Sequence, residues 1–517
     1  MTSRRIWLIL ALVALALRLP DIGNPLVDLD EQMYLLVGQR MWDGAIPYVD
    51  IWDRKPIGLF LIYAASAELP IDAIVAYHLV ALAAAVVTAG CIAMLVRTFA
   101  GPKAALAAAI LYLVWLSLIG GRGGQSPVFY DLPMVLAAWL TWQTLAGRRR
   151  GGVAAMLLVG VALQIKPTVV FEGAFFGVTL VVASWRHHRS HARVARDAAV
   201  YVVAALLPTL IAAGVYAAMG QGDAWWFANV QSIFLRRLTP GDPIATRLIG
   251  AVVVLLVPFG LAVRGLAMHH GQRRWFLAGW LASAIIGWLL VPPYFNHYAL
   301  PLLVPLAVAA SIALDRPALR WLAALAGAVM LYLSGYPHWG ETATIRRQLA
   351  SLATAFGQDR DRGCSFVFDA PPALYTAAHT CLPTRYPFPP HLIEPSEAVA
   401  IGIDPRRELA RILAAKPPAI AVGRSDAMIH ATLVTDYYPV ARALGITIYR
   451  RADLSHVTDK SAASVRSPIP HRCGRQERSM TDPDTPEPTD RPDGAVPDTS
   501  VPDESGAGYG NHGDADD

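Results

Sequence analysis

Long apolar runs separated by short polar stretches dominate the first two thirds of the chain. Apolar stretches at 6–19, 74–96, 104–119, 132–146, 153–165, 169–185, 198–219, 248–263, 275–291, 298–314 and 319–333 are nearly free of charge. Their lengths approach what an α-helix needs to cross a bilayer, about 20 residues, which predicts about eleven spans. The exception within this pattern is the segment 21–72, where carboxylates and bases cluster between the first span and the second. Beyond residue 337 the hydropathy falls and shorter patterns appear. Residues 364–369 (CSFVFD), 419–422 (AIAV) and 446–449 read as short strands, and 406–415 and 426–435 as helices. This predicts a mainly α protein: a polytopic transmembrane bundle over 1–337, with an outer loop at 21–72, and a small α/β module over 338–454.

Composition agrees with lipid as the main solvent. Hydrophobic residues make up 55% of the chain, charged residues 16%, and the mean hydropathy is +0.40. The formal charge of +5 comes from basic loops. Arg4 and Arg5, Arg97 and Lys103, Arg148 to Arg150, and the Arg-rich segments 186–196, 264–274 and 316–320 fill alternate loops, which the positive-inside rule places in the cytoplasm. The intervening loops, carrying Asp30, Asp131, Asn229 and His297, then face outward, and the C-terminal module follows them into the periplasm. Residues 6–19 could be a secretory signal, but Leu19, Pro20 and Asp21 make no small-residue cleavage site, so an uncleaved first span of an inner-membrane protein is expected. The charge pattern calls for no nucleic acid.

Cys364 and Cys381 fall within the C-terminal module, where an oxidising compartment would permit a disulfide; two free thiols are the alternative. From 455 onward the chain is rich in Asp, Pro, Thr and Gly and too poor in aliphatic residues to build a core, so a disordered acidic tail is expected.

The outer loops hold the candidate chemistry. Asp30 and Glu31 open an amphipathic stretch over 31–42 in which Tyr34, Leu35, Met41 and Trp42 could rest on the membrane interface. Asp53, Arg54 and Lys55 follow, and Pro56 opens another apolar helix. Carboxylates at such a face can take a proton from a hydroxyl, and Arg and Lys can neutralise a phosphate leaving group. Asp131 enters the fourth span just before Leu132 and Pro133, where it could also cap the helix. The run GGRGGQSP at 120–127 would let backbone approach a bound ligand closely. Lys166 interrupts an apolar stretch before Pro167 and either snorkels to the interface or joins Asp30 and Asp131. His297 and Tyr298, in PPYFNHYALP, serve as aromatic-belt residues or as ligand contacts.

DLDEQMYLLVGQRMWDGAIPYVD (28–50) followed by DRKPIG (53–58) resembles the first outer loop of the GT-C glycosyltransferases of the protein O-mannosyltransferase and aminoarabinose transferase type. The likeness extends to YDLP (130–133), IKPT (165–168), NHYALPLLVP (296–305) and the terminal module, covering about residues 1–455. It implies a transferase moving a sugar from a polyprenyl-phosphate donor to a lipid, glycan or protein acceptor at the outer face of the inner membrane. By this resemblance Asp30 is the general base, Glu31 orients the site or the acceptor, and Asp131 is the second acidic position. Arg54, Lys55 and Lys166, with His297 and Tyr298 beside them, hold the donor phosphate. Arg54 stands where the aminoarabinose branch has Glu, and Met33 where it has Arg. These departures argue neither for aminoarabinose as the sugar nor for a metal, and no cofactor is expected. A transporter or lipid flippase, or a non-catalytic scaffold, would share the many spans without needing carboxylates gathered on outward loops.

Overall fold

Ten of the eleven apolar stretches named above fold mainly as α-helix in the computed structural model, which describes residues 3–148, 151–238, 241–423 and 427–454, whereas 298–314 breaks into the 3-10 segment Asn296–Leu302, the short helix Leu303–Ala309 and turns. The expected acidic tail from 455 lies outside these residues, as does the first residue of the helix expected over 426–435. The first nine helices used below are α1 (Ser3–Arg18), α2 (Leu29–Trp42), α3 (Ile57–Ala67), α4 (Ala73–Val96), α5 (Pro102–Leu118), α6 (Ser126–Leu145), α7 (Gly152–Leu163), α8 (Val170–His188) and α9 (His191–Ala218). Among the described residues, four helical segments are long and apolar enough to cross a membrane: Ala73–Val96, Pro167–His188, His191–Ala218 and Ile244–Met268. From Val200 onward the outward face of α9 is apolar, with Val202, Val203, Leu210 and Ile211 all exposed. A surface of that kind is stable against lipid and not against water.

The segment 21–72, expected to be an outer loop, is more structured than its charges suggest. It contains α2 and α3, which pack against each other, and α3, at 11 residues, is too short to span a bilayer. The expectation that α2 lies amphipathically on the interface is corrected here. Residues 31–38 are buried all round, Tyr34 and Leu35 included, and of the four expected interfacial side chains Trp42 is the strongly exposed one. A second correction concerns α6, which starts at Ser126 with Pro127 in its first turn, so Asp131 lies inside the helix and caps nothing.

The C-terminal part begins with the amphipathic helix Glu341–Phe356, whose Leu349, Leu352, Ala353 and Phe356 are buried. A four-stranded sheet follows in the order β1-β2-β4-β3, with β1 Phe366–Asp369, β2 Ala419–Val422, β3 Tyr437–Ala443 and β4 Ile446–Arg451. β1 and β2 are parallel; the other pairings are antiparallel. β3 was not expected, because Pro439 and a largely exposed face give this edge strand little apolar alternation. Cys364 and Cys381 are disulfide-bonded. The module is tied to the outer segment by polar contacts: Trp52 N–H donates to Arg385 O at 2.7 Å, Ala373 N–H to Gln32 Oε1 at 3.2 Å, and Arg346 Nη1 to Gly23 O at 3.0 Å. Residues up to Leu454 form one compact unit.

Candidate active site

The site is built at the N-terminus of α2. Asp28 is the N-cap, its carboxylate accepting from Asp30 N–H at 2.8 Å, so Asp30 and Glu31 occupy the first turn, where the helix dipole favours negative charge. Successive residues on an α-helix point about 100° apart, and these two part company at once. Asp30 is one-fifth exposed, whereas Glu31 is fully buried.

Lys55 reaches Asp30 from the loop preceding α3. Tyr48 O–H donates to Lys55 O at 2.9 Å, and Asp53 Oδ1 accepts Lys55 N–H at 3.0 Å, fixing the loop. Lys55 Nζ then lies 3.5 Å from Asp30 Oδ2 and 5.3 Å from the centre of the Tyr34 ring. Tyr34 O–H donates to the same Asp30 oxygen at 3.1 Å, and His297 Nε2 stands 3.8 Å from it. Gly58, the last residue of DRKPIG, explains how a second lysine comes near. A Cβ at Gly58 would sit 2.6 Å from Gln164 O, so only glycine lets the start of α3 touch the turn after α7. Leu59 N–H donates to that same carbonyl at 3.2 Å. Lys166, two residues on, is thereby brought within electrostatic reach of Lys55 and Asp30.

The basic groups continue outward as a chain of contacts. Lys166 Nζ is 4.7 Å from the Tyr298 ring centre, and Arg236 Nη1 donates to Tyr298 O–H at 3.4 Å. Arg236 and Arg54 both pair with Glu397 of the C-terminal module. Arg54 also lies over Trp52, 5.6 Å from the ring centre.

The electrostatics follow from this crowding. Burial alone would raise the Asp30 carboxyl, but Lys55, His297 and the Tyr34 hydrogen bond outweigh it and hold the group well below the usual carboxylate range. Burial pushes Asp53 upward, with Lys55 only partly compensating. Burial would depress Lys55, yet Asp30 and Asp53 raise it on balance. Lys166 goes the other way: burial, then the charge of Lys55, bring it down to about 7.

The expected site residues thus divide. Asp30, Lys55, Lys166, His297 and Tyr298 come together, and Arg54 is linked to them through Glu397 and Arg236. Glu31 faces away. Its Oε2 is 3.7 Å from His78 Nε2, and Gly123 packs directly on the carboxylate, where a Cβ would come within 2.2 Å of Oε2. His78 Nδ1 accepts Gly23 N–H at 3.0 Å, which turns Nε2 toward Glu31. The glycine-rich run therefore approaches a buried carboxylate of the chain itself, where the sequence suggested a ligand. Arg18, also buried, holds the run in place by donating to the carbonyls of Gly121, Arg122 and Gly123. Asp131 is buried in α6 and accepts from Tyr112 O–H at 3.0 Å. It lies within electrostatic reach of Lys166 and of a second buried acid, Glu172, whose Oε1 accepts from Trp280 Nε1 at 2.6 Å. A cleft lined by Lys166, Glu172, Trp288 and Tyr298 joins Lys166 to Glu172.

Sequence reasoning missed Arg236, Glu397 and His391. Arg236 and Glu397 lie on segments where neither apolar periodicity nor a motif singles out a charge. His391, buried against Trp52 with ring centres 4.8 Å apart, sits in a proline-rich stretch without periodicity.

No family model matches the chain, and no curated protein matches it. Among solved structures it is similar to ArnT from Cupriavidus metallidurans bound to undecaprenyl phosphate, with 14% identity, a TM-score of 0.58, and coverage of 86% of this chain and 97% of that one. The apo state of the same protein gives 17% identity, a TM-score of 0.58, and coverage of 86% and 96%. AglB from Archaeoglobus fulgidus, in complex with an inhibitory peptide and a dolichol-phosphate, gives 12% identity, a TM-score of 0.48, and coverage of 88% and 75%. The architecture is that of a helical membrane protein, with long apolar helices. Its fold, over 86% of this chain and 97% of that one, is the one ArnT adopts.

Proposed function

We propose that this chain is a multi-span membrane glycosyltransferase that moves a sugar from a polyprenyl-phosphate donor to a hydroxyl of a lipid, glycan or protein acceptor. The observation that carries the reading is the pairing of an ionised carboxylate, Asp30, with Lys55 at 3.5 Å, in a site where Lys166, Arg236 and Arg54 supply further positive charge. A fold shared with a protein crystallised on undecaprenyl phosphate supports a lipid-linked donor. About eleven spans, an inner-membrane location and an outward-facing site are part of the same proposal. The Cys364–Cys381 disulfide supports a periplasmic module, since such bonds persist in oxidising compartments.

In this mechanism the acceptor oxygen forms a bond to the anomeric carbon of the donor sugar. The bond from that carbon to the phosphate oxygen breaks, and its electron pair leaves with the polyprenyl phosphate. Lys55 and Lys166 stabilise the departing anion. The acceptor's proton passes to Asp30. While Lys55 is paired with Asp30 the carboxylate is a weak base; once Lys55 turns to the phosphate, Asp30 loses its strongest counter-charge and becomes more basic as the proton must be taken. Asp131 lies within electrostatic reach of Lys166, and Glu172 lines the same cleft as Lys166.

The direct test is to incubate the protein in lipid nanodiscs with a polyprenyl-phosphate-linked sugar and candidate acceptors and follow release of polyprenyl phosphate. Lipid extracts of a strain lacking the protein should accumulate the sugar-linked lipid and so name the sugar. Neither release nor accumulation, across a panel of donors, would reject the reading.

A further inference from the structure

Glu397 enters the basic network from a short helical turn, Pro395–Ala398, in the C-terminal module. One of its oxygens takes Nη1 of Arg54 and the other Nη2 of Arg236. All three side chains are largely withdrawn from solvent, at 15%, 10% and 18% exposure respectively. One carboxylate therefore separates two guanidinium groups from chain segments far apart in sequence, and a net positive charge remains. Arg54 also has capacity to spare: its Nε and Nη2 are buried without a hydrogen-bond partner among the described residues, and so is Nδ1 of His391. His391 packs against the same Trp52 ring that carries Arg54. A carboxylate offers two oxygens and leaves the Arg54 donors unused. A phosphate offers more acceptor oxygens in a geometry that guanidinium forks match equally well.

We propose that Arg54 and Arg236 form a phosphate seat that Glu397 fills from within the chain, so that Glu397 competes with the phosphate of the donor lipid. This rests on the donor reading above and gives the C-terminal module a part in the reaction. Entry of the lipid phosphate displaces Glu397 and recruits both guanidinium groups. Return of Glu397 after transfer loosens the polyprenyl phosphate product. Glu397 is a positioning residue in this scheme, acting through the two arginines.

The test is binding of undecaprenyl phosphate, and separately of inorganic phosphate, to the full-length protein in nanodiscs. Glu397→Gln keeps the shape and removes the charge, and should tighten undecaprenyl phosphate by about 10-fold. In turnover the same variant should lower KM while kcat falls, because product leaves more slowly. Glu397→Asp, too short to reach both arginines, should tighten binding by a smaller factor and provides the reading if the Gln variant does not fold. A gain for inorganic phosphate without one for the lipid would overturn the assignment to the donor headgroup. Unchanged or weaker lipid binding in both Glu397 variants, with Lys55→Ala still weakening it, would overturn the role of Glu397 and leave the donor reading intact. If Lys55→Ala has no effect either, both readings fall together.

Discussion

Nε2 of His78 faces Oε2 of Glu31 at 3.7 Å, beneath a glycine-rich loop and out of contact with solvent. Glu31 adjoins Asp30 in sequence, but the helix carries it into the protein interior, where its environment is an imidazole, the backbone of Gly123 and the rings of Tyr63 and Tyr77. A carboxylate so placed holds α2, α4 and the 120–124 loop together and cannot reach an acceptor.

Glu31 should therefore matter to stability more than to chemistry. Glu31→Ala leaves the buried His78 imidazole without its facing carboxylate and opens a cavity, and should cost about 1 to 3 kcal/mol. Gly123→Ala, by forcing a methyl group into the space of the carboxylate, should cost about 1 to 3 kcal/mol or more. Thermal unfolding in detergent reads both. Glu31→Gln, which keeps the volume, should retain transfer per folded molecule to within a few-fold. A 100-fold drop in that specific rate, with unchanged unfolding, would return Glu31 to the chemistry.

The Cys364–Cys381 bond closes a loop of 17 residues in sequence separation, leading out of β1 through a short helix to a segment beside the outer loop. A loop of that size contributes about 3 kcal/mol by restricting the unfolded chain. Replacing both cysteines by serine should lower the unfolding temperature and expose the module to limited proteolysis. Protease resistance equal to the parent would show that the packing of Trp52 and Gln32 against the module suffices without the bond.

Some of this architecture was legible in the sequence. Apolar runs mark helices because lipid leaves no alternative to internal backbone hydrogen bonding. Asp30, Lys55 and Lys166 stood out because charge beside apolar spans needs a reason. The start of α6 was misplaced because Pro133 looked like a helix-opening proline, whereas Pro127 is the one in the first turn. Arg236 and Glu397 were not legible: they are 161 residues apart, on segments with no periodicity, and gain their meaning only from meeting Arg54. The partner of the glycine-rich loop was likewise hidden, since sequence shows that backbone comes close to something and not to what.

Lys166 gives a pH signature. With its ammonium brought down to about 7 by burial and by Lys55, it is charged below that pH and neutral above it. Its contribution to holding an anion is thus present at pH 6 and lost as pH rises through 7 to 8. Lipid phosphate itself gains negative charge over part of this range, which works in the opposite direction, so the informative quantity is the difference between variants. Lys166→Arg, charged throughout, should bind undecaprenyl phosphate progressively better than the parent as pH increases from 6 to 8. Parallel binding curves for the two proteins would place Lys166 outside the donor site.

Asp30 bears the sharpest prediction. An acceptor hydroxyl is a poor nucleophile until its proton is taken, so loss of the base should slow transfer far more than it weakens donor binding. Asp30→Asn preserves size and hydrogen bonding, including the contact with Tyr34 O–H at 3.1 Å, and transfer should fall by about 100-fold or more. Removing the negative charge also frees Lys55 from its 3.5 Å partner, which should leave donor affinity unchanged or slightly tighter. Single-turnover transfer and equilibrium binding of undecaprenyl phosphate separate the two effects. Near-normal transfer in Asp30→Asn, together with loss of transfer in Asp53→Asn, would move the base to the other carboxylate beside Lys55, the one whose buried setting raises its basicity. Loss of binding in proportion to rate would instead make Asp30 a structural anchor for Lys55.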